Sequence, residues 1–288
     1  MPRLTAREQE RAAALRPAPP APPFVALART PPGEALAMLR RRGFHPKPSP
    51  PDLPFPPELG EAARERLARH LDHYAFRLFL RGAILRASGF RPAEATRYVD
   101  GARAVAMAEE LHSLGLAERA GRVRYRLLHP PRSFGGTLEW YLARELRARL
   151  GFDTATALRF GAPGVGGDLD VVAAAEGRLF YLEAKSSPPR QIAEEEVRAF
   201  LDRLEALRPD IALFVVDTAL RLGDKVVPML AGEMARRPGG APVPRRVVRE
   251  TWAMTPRLFA VGAKGHLGTN VAVAVSEGLR ALSPGLLG

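Results

Sequence analysis

The chain has 288 residues, of which 46% are apolar and 26% are charged, so we predict a globular protein of one large or two smaller domains. It has no cysteine, which excludes disulfides and thiolate metal sites. It has neither an apolar run of about 18 residues nor an apolar N-terminal stretch, so we expect no membrane span, no signal peptide and a cytoplasmic location. The net charge of +12 favours a polyanionic partner, most simply nucleic acid.

The charge is unevenly distributed along the chain. Residues 133–218 carry a net charge of −4, whereas residues 1–60, 61–132 and 219–288 carry +4, +6 and +6. Carboxylates that hold a cation, flanked by basic surfaces that hold phosphates, would produce this pattern. Only four of the 43 basic residues are lysines, which makes the position of each lysine informative: Lys47, Lys185, Lys225 and Lys264.

Residues 1–60 are predicted to be a proline-rich N-terminal segment and linker. Residues 17–57 contain 14 of the 28 prolines. Proline fixes φ and lacks a backbone donor, so such runs favour extended chain. One short helix, near residues 33–42, is expected to interrupt them.

Residues 61–132 show helical spacing. A first helix, with Leu67 and Leu71 on its apolar face, is predicted to end near residues 88–89. A short second helix opens at Arg91-Pro92, where proline suits the first turn. A third helix over residues 101–114 is expected to place four apolar side chains on one face: Ala104, Val105, Ala108 and Leu111.

A hairpin is predicted next, with its turn near residues 120–121. In its second strand three arginines alternate with three apolar residues, which are Arg122, Arg124 and Arg126 against Val123, Tyr125 and Leu127. Period two would put the guanidinium groups on one face and the apolar side chains on the other.

This order of three helices and a two-stranded ribbon resembles the winged helix-turn-helix family, as does the segment 111–116 (LHSLGL) that ends the third helix. The resemblance implies that helix 101–114, with Arg103, enters a major groove and that the wing arginines contact phosphates. Such domains also serve as protein–protein modules, in which an arginine-rich hairpin face would be solvated.

Residues 133–220 change to an α/β pattern. We predict a helix over 137–150, strands over 154–160, 168–174 and 179–186, a helix over 192–207 and a buried strand over 211–217. A glycine-rich turn over 162–167 separates the first two strands. A further strand over 258–263 and a helix over 270–282 are expected beyond this region.

The second and third of these strands are joined by a tight turn at Glu176-Gly177. A loop centred there pairs residues whose numbers sum to 353, so Asp170 would face Glu183 and Asp168 would face Lys185. The reverse face would be wholly apolar, with three cross-strand pairs: Leu169 with Ala184, Val171 with Leu182 and Ala173 with Phe180.

The charged face could be an ordinary solvated sheet surface. However, two carboxylates directly opposite each other destabilise a sheet by up to about 1 kcal/mol, and a divalent cation between them reverses the sign of this effect. Lys185 also stands two residues after Glu183 in a chain that otherwise uses arginine. These two features favour a functional site.

The segments 167–172 (GDLDVV) and 181–186 (YLEAKS) resemble the PD-(D/E)xK nuclease superfamily, which has an αβββαβ core like restriction endonucleases. The resemblance covers residues 133–220 of an expected domain 133–288. It implies that Asp170, Glu183 and the Ala184 carbonyl hold Mg²⁺, with Mn²⁺ as a substitute, and that Lys185 positions or activates water. Glu139 in the segment 135–139 (GGTLE) resembles the additional acid of this superfamily. Gly167 replaces the proline of the strict motif, which leaves Asp168 or Asp170 as the principal ligand.

The sequence therefore predicts an α/β protein in which a restriction-endonuclease-like core follows a separate winged-helix domain. The expected function is Mg²⁺-dependent hydrolysis of nucleic acid, with DNA favoured, and a homodimer would suit cleavage of two strands. The alternative is a non-catalytic DNA-binding or scaffold protein with the same fold. DNA against RNA, single against double strands and endo- against exonuclease action stay open.

Overall fold

The computed structural model describes residues 33–162 and 165–283, and the chain from Gly33 onward forms one compact unit. The predicted segment 1–32 and residues 163–164 of the glycine-rich turn lie outside the described residues. The helices are α1 (Glu34–Arg41), α2 (Glu61–Leu71), α3 (Tyr74–Ile84), α4 (Pro92–Ala95), α5 (Gly101–Ser113), α6 (Gly135–Leu150), α7 (Glu194–Leu207), α8 (Val226–Ala235) and α9 (Leu267–Leu282). The strands are β1 (Lys47–Pro48), β2 (Ala117–Arg119), β3 (Tyr125–Leu127), β4 (Asp153–Ala162), β5 (Val165–Ala175), β6 (Arg178–Lys185), β7 (Ile211–Val216), β8 (Arg245–Val248), β9 (Thr251–Thr255) and β10 (Leu258–Gly262).

Eight strands form one mixed sheet in the order β1-β4-β5-β6-β7-β10-β9-β8, and β2 and β3 form a separate ribbon. The pairs β6–β7 and β7–β10 are parallel, and the remaining pairs of the large sheet are antiparallel. Helices α6 and α9 pack on one face of the sheet, and α1, α7 and α8 pack on the other. The predicted α/β class is confirmed. Among the described residues, no helix is long and apolar enough to span a membrane.

The elements over the predicted core follow the expected order α6-β4-β5-β6-α7-β7. Helix α7 begins at Glu194 rather than at residue 192 because a 3₁₀ turn, Pro189–Gln191, precedes it. The later strand and helix that were predicted correspond to β10 and α9. The patterns of α8, β8 and β9 were not interpreted from the sequence.

The predicted register of the β5–β6 hairpin is confirmed from the turn to Val171. Val171 pairs with Leu182, and Ala173 pairs with Phe180, so the paired numbers sum to 353. Glu176 and Gly177 form the two-residue turn and both have positive φ, 52° and 69°, as a type I′ turn requires.

The pairing of β5 with β6 ends at Val171, which corrects part of the prediction. Asp168 pairs with Arg159 of β4 instead of facing Lys185. Leu169 packs on the opposite face of the sheet from Val171, because the chain leaves regular alternation at Asp170. The expectation of one apolar and one charged face is also wrong, since helices cover both faces of these strands.

The predicted first helix of residues 61–88 is broken into α2 and α3 at Asp72-His73, where His73 is extended. The buried guanidinium of Arg77 explains the break. Its Nη1 donates to the carbonyls of Leu71 and Asp72, the latter at 3.1 Å, so these carbonyls are satisfied outside a continuous helix.

The predicted alternation of the wing is wrong over residues 122–124. Strand β3 begins only at Tyr125, and the preceding arginines lie in the loop of the hairpin. Val123 is 58% exposed instead of joining the apolar face. On α5, Val105 was predicted to lie on the apolar face but is 47% exposed, and Met107 is buried instead. A short hairpin closed by an Ala120–Arg124 backbone bond leaves no room for a longer strand.

Residues 33–60 belong to the folded unit, which differs from the linker prediction. The short helix expected near residues 33–42 is present as α1, whose Ala35 and Leu39 are buried against the sheet. Strand β1 pairs with β4 at the sheet edge. The following segment packs on the start of α6, where a Cβ at Gly136 would lie 2.6 Å from the Asp52 carbonyl oxygen.

Candidate active site

The predicted site residues lie where β6 ends, between α6 on one face of the sheet and α7 on the other. Glu183 and Lys185 come from β6, Asp170 from β5 and Glu139 from the beginning of α6. Parallel pairing of β6 with β7 extends through Lys185 and holds this end of β6 in the sheet.

Glu183 is the central carboxylate, and its side chain is 4% exposed. Its Oε2 accepts a hydrogen bond from Arg203 Nη2 at 2.7 Å and another from the Tyr181 hydroxyl. Its Oε1 lies 3.0 Å from Lys185 Nζ. A charge buried to this extent is costly unless it is paired and hydrogen-bonded, and both oxygens of Glu183 are.

Lys185 joins two carboxylates. Its Nζ lies 3.0 Å from Glu183 Oε1 and 2.9 Å from Glu196 Oε1. Burial lowers the pKa of the amine, but the two carboxylates outweigh this effect and raise the pKa above its ordinary value. Lys185 is therefore an ammonium ion at neutral pH.

Asp170 takes the place of a backbone acceptor. Its Oδ2 accepts the Ala184 N–H at 2.7 Å, beyond the last β5–β6 pair. Burial raises the pKa of this carboxyl well above its usual value, and the charges of Glu183 and Glu139 raise it further. The Ala184 N–H acts in the opposite direction but does not compensate.

Glu139 belongs to the same group of acids. Burial raises its pKa to about 7, and the negative charges of Asp168, Glu183 and Asp52 contribute. Asp168 is exposed at the rim of the site. The structure thus brings together Glu139, Asp170, Glu183 and Lys185, while Asp168 contributes charge from the rim.

Within residues 33–162 and 165–283, no three histidine, aspartate or glutamate side chains form a group that could hold a metal ion as they stand. The chemistry of the donors nevertheless fits a hard cation, because all the donors are oxygens. Several carboxylates lie in or beside the site, and Lys185 and Arg203 are the cations that contact Glu183; the carboxylates are Glu139, Asp168, Asp170, Glu183 and Glu196. Burial is the main cause of the raised pKa values of Asp170 and Glu139, and neighbouring carboxylates raise them further, a negative charge that a divalent cation would reduce.

Sequence reasoning missed the groups that hold Glu183 and Lys185. Arg203 and Glu196 are seven residues apart on α7 and so share a helix face with buried Phe200. Charged residues within an apolar helix face were the available signal. Glu196 accepts the Ala193 N–H at 3.0 Å in the first turn of α7 and binds Lys185.

Gly167, which replaces the proline of the strict motif, has a structural reason. Its φ of +115° is strained for residues with a side chain. A Cβ there would lie 3.2 Å from Arg203 Nη1. Glycine therefore lets β5 pass over the arginine that holds Glu183.

The predicted nucleic-acid contacts are dispersed. Arg124 Nη2 donates to the Gly89 carbonyl at 2.8 Å, and Arg126 Nε donates to Glu118 Oε1 at 2.9 Å. Arg122 and Arg103 are exposed, in the hairpin loop and on α5. The three wing arginines do not share one face, so they do not form the predicted phosphate-binding row as they stand.

A buried ion pair connects α3 to the site. The Asp217 backbone N–H donates to the Lys185 carbonyl at 2.8 Å. Its carboxylate accepts from Arg77 Nε at 2.9 Å and from Arg81 Nη2 at 2.8 Å, and the side chains of Arg77 and Asp217 are fully buried. The helical region 61–114 is thereby attached to the residue that follows β7.

No protein-family model and no curated protein matches the chain. Among solved structures, protein VC1899 from Vibrio cholerae is similar with a TM-score of 0.45 and 14% identity over 83% of this chain and 62% of that chain. Can2 from Sulfobacillus thermosulfidooxidans, solved in complex with cyclic tetra-adenylate (cA4), is similar with a TM-score of 0.40 and 16% identity over 64% of this chain and 50% of that chain. This chain thus spans less than two thirds of either neighbour, and likenesses at this level assign no function.

Proposed function

We propose that the chain is a metal-dependent nuclease that hydrolyses phosphodiester bonds, with DNA as the expected substrate. The observation that carries the proposal is the Lys185 ammonium, held 3.0 Å from Glu183 and 2.9 Å from Glu196 beside the acidic pair Asp170 and Glu139. A cation among several carboxylates at the end of β6 suits a site that handles both a metal ion and a phosphate.

Asp170, Glu183 and the Ala184 carbonyl would hold Mg²⁺ or Mn²⁺, with Asp168 as a further acid at the rim. When bound, such an ion shields phosphate charge and lowers the pKa of a coordinated water. Glu139 would orient that water or hold its proton. Lys185, as an ammonium ion, would position the water and stabilise the charge that develops on the phosphate.

The two oxygens of Glu183 have different roles. Oε2 is committed to two donors, Arg203 and Tyr181, which fix the carboxylate in place. Oε1 contacts Lys185, which also has Glu196 as a second acceptor. Oε1 is therefore the oxygen that is able to change partners while Lys185 stays within the site.

A second candidate function is a non-catalytic DNA-binding or scaffold protein. The complete engagement of Glu183 favours it, because a purely structural ion network inside a sheet protein would also satisfy both carboxylate oxygens. The two candidates differ in what Lys185 does, since a structural cation is replaceable by another cation of similar reach.

Cleavage assays test the proposal. Labelled single- and double-stranded DNA and RNA are incubated with the protein, with and without Mg²⁺ or Mn²⁺. We expect metal-dependent cleavage by the parent and a loss of roughly 100-fold or more in Lys185→Arg, since a planar guanidinium is larger than the compact ammonium that contacts both carboxylates. Glu183→Gln should also lose cleavage, with partial recovery in added Mn²⁺.

Lys264→Arg is the matched control, because Lys264 is exposed and lies outside the site. It should cut like the parent. If Lys185→Arg also cuts like the parent, Lys185 is only a positive charge and the mechanism is wrong. If the parent cuts none of the four substrates with either metal, the scaffold function becomes the better explanation.

A further inference from the structure

A cavity of about 360 Å³ lies between α3 and α4, apart from the acidic site. Its walls approach closely, since a Cβ at Gly82 would lie 1.7 Å from the Ala95 carbonyl oxygen. Any larger residue at position 82 would separate the two helices. This close approach fixes the spacing of α3 and α4 beside the cavity.

The polar part of the lining is basic. Arg81, Arg86 and Arg97 line the cavity together with one acid, Glu94. Arg86 and Arg97 are exposed to solvent. The Glu94 carboxylate already accepts the Arg91 backbone N–H at 3.1 Å. Charge complementarity favours an anionic ligand.

The apolar part of the lining is unusually exposed. Leu85 is 76% exposed and Tyr98 is 63% exposed. All five tyrosines lie in the part of the chain that the structure describes, and Tyr98 alone among them is exposed. The Arg97 guanidinium carbon lies 5.2 Å from the centroid of the Tyr98 ring, within the range of a cation–π contact. An exposed aromatic ring beside guanidinium groups is the combination on which unpaired bases stack.

Hydrogen bonds connect the wall of the cavity to the acidic site. Arg81 lines it and donates to Asp217, whose backbone N–H donates to the Lys185 carbonyl. Two successive hydrogen bonds of 2.8 Å thus link the cavity wall to the strand that carries Lys185. Arg86 Nη1 donates to the Gly82 carbonyl at 3.2 Å and Arg97 Nη2 donates to the Tyr98 hydroxyl at 3.3 Å, which leaves other N–H groups of both guanidinium groups for a phosphate.

We propose that the α3–α4 cavity binds single-stranded nucleic acid, with a base stacked on Tyr98 and phosphates on Arg86 and Arg97. In a duplex the faces of the bases are covered by their neighbours, so a stacking surface selects unpaired strands. The cavity thereby defines the substrate class of the nuclease as single-stranded. This link to cleavage rests on the proposed function, whereas the binding itself does not.

Fluorescence anisotropy in EDTA measures binding without cleavage. The probes are a fluorescein-labelled oligo(dT), an oligo(U) of the same length and a DNA duplex. Tyr98→Ala should weaken oligo(dT) binding roughly 10-fold, and Tyr98→Phe should bind like the parent because it keeps the ring. Arg86→Ala and Arg97→Ala should each flatten the log–log salt dependence by about 0.7. Arg257→Ala, an exposed arginine in the β9–β10 turn, is the matched control and should leave the slope unchanged.

The inference is overturned if Tyr98→Ala binds oligo(dT) like the parent, or if the duplex binds more tightly than either single strand. Because Tyr98 is exposed, circular dichroism of Tyr98→Ala should match the parent, which separates lost binding from lost folding. A parent that binds through Tyr98 but cuts nothing supports the cavity and contradicts the nuclease. A parent that cuts, with Tyr98→Ala equally active and equally tight, contradicts the cavity alone.

Discussion

The ion pair between Arg77 and Asp217 makes a strong prediction about stability. Asp217→Asn keeps the size of the side chain but removes the charge that balances Arg77, whose side chain is fully buried. Breaking a buried pair from one side costs about 3–5 kcal/mol. Arg81 contributes less to this cost, because its side chain is 20% exposed and is able to turn toward solvent. For a chain of this length the loss corresponds to a fall in Tm of roughly 6–20 °C.

Urea unfolding, followed by circular dichroism, measures this loss. The matched control is Glu34→Gln, which removes one charge from an exposed ion pair with Arg41 and should change stability little. The double variant Arg77→Met/Asp217→Asn should recover part of the loss, because it leaves no unpaired buried charge. If Asp217→Asn unfolds at the urea concentration of the parent, the pair does not hold α3 to the sheet.

Two further predictions concern the acidic site and the wing. The folded pKa of Glu139, about 7, lies above its unfolded value of 4.5, so its contribution to stability is present below the unfolded pKa and is lost as the pH rises through 7. Glu139→Gln should therefore raise Tm at about pH 8 and not at about pH 4 in thermal scans without metal; equal effects at both pH values would contradict this assignment. In the wing, Arg122→Ala should flatten the salt dependence of duplex binding by about 0.9. The triple alanine variant of Arg122, Arg124 and Arg126 should flatten this salt dependence no further, because Arg124 and Arg126 have intramolecular partners. A slope that is unchanged in both variants would show that the wing does not contact phosphate.

The register of the hairpin that leads to the acidic site was predictable because it depends on a short stretch of chain. The turn at Glu176-Gly177 is tight, and a two-residue turn fixes which residues of β5 and β6 face each other. Counting outward from this turn gives the correct partners from Ala175 to Val171 but not for Asp170, where the pairing of β5 with β6 has ended. The element order was predictable for a similar reason, since the periodicity of each helix and strand is local.

The contacts that complete the site were not predictable from such patterns. Arg203 reaches Glu183 across 20 positions of sequence, and Arg77 reaches Asp217 across 140. The hydrophobic periodicity of the sequence does not reveal either contact; it shows only that a charged residue lies on an otherwise apolar helix face. The predicted strand of the wing was wrong because a local pattern was misleading. Val123 fits the alternation of a strand but lies in the hairpin loop.

The use of one lysine and one arginine on Glu183 argues for a working site over a static ion network. Arginines outnumber lysines 39 to four in this chain, and Arg203 shows that an arginine does hold Glu183 where the carboxylate must be fixed. Its planar fork bonds Oε2 and the Tyr181 hydroxyl together, which anchors one side of the carboxylate. Lys185 contacts the other oxygen as a compact ammonium with a second carboxylate, Glu196, at 2.9 Å. Such a cation is able to leave Oε1 without leaving the site, whereas a guanidinium fork would not. A carboxylate with one fixed oxygen and one oxygen that is able to change partners suits the exchange of the ammonium for a metal ion. A purely structural network does not need its two carboxylate oxygens to differ in this way.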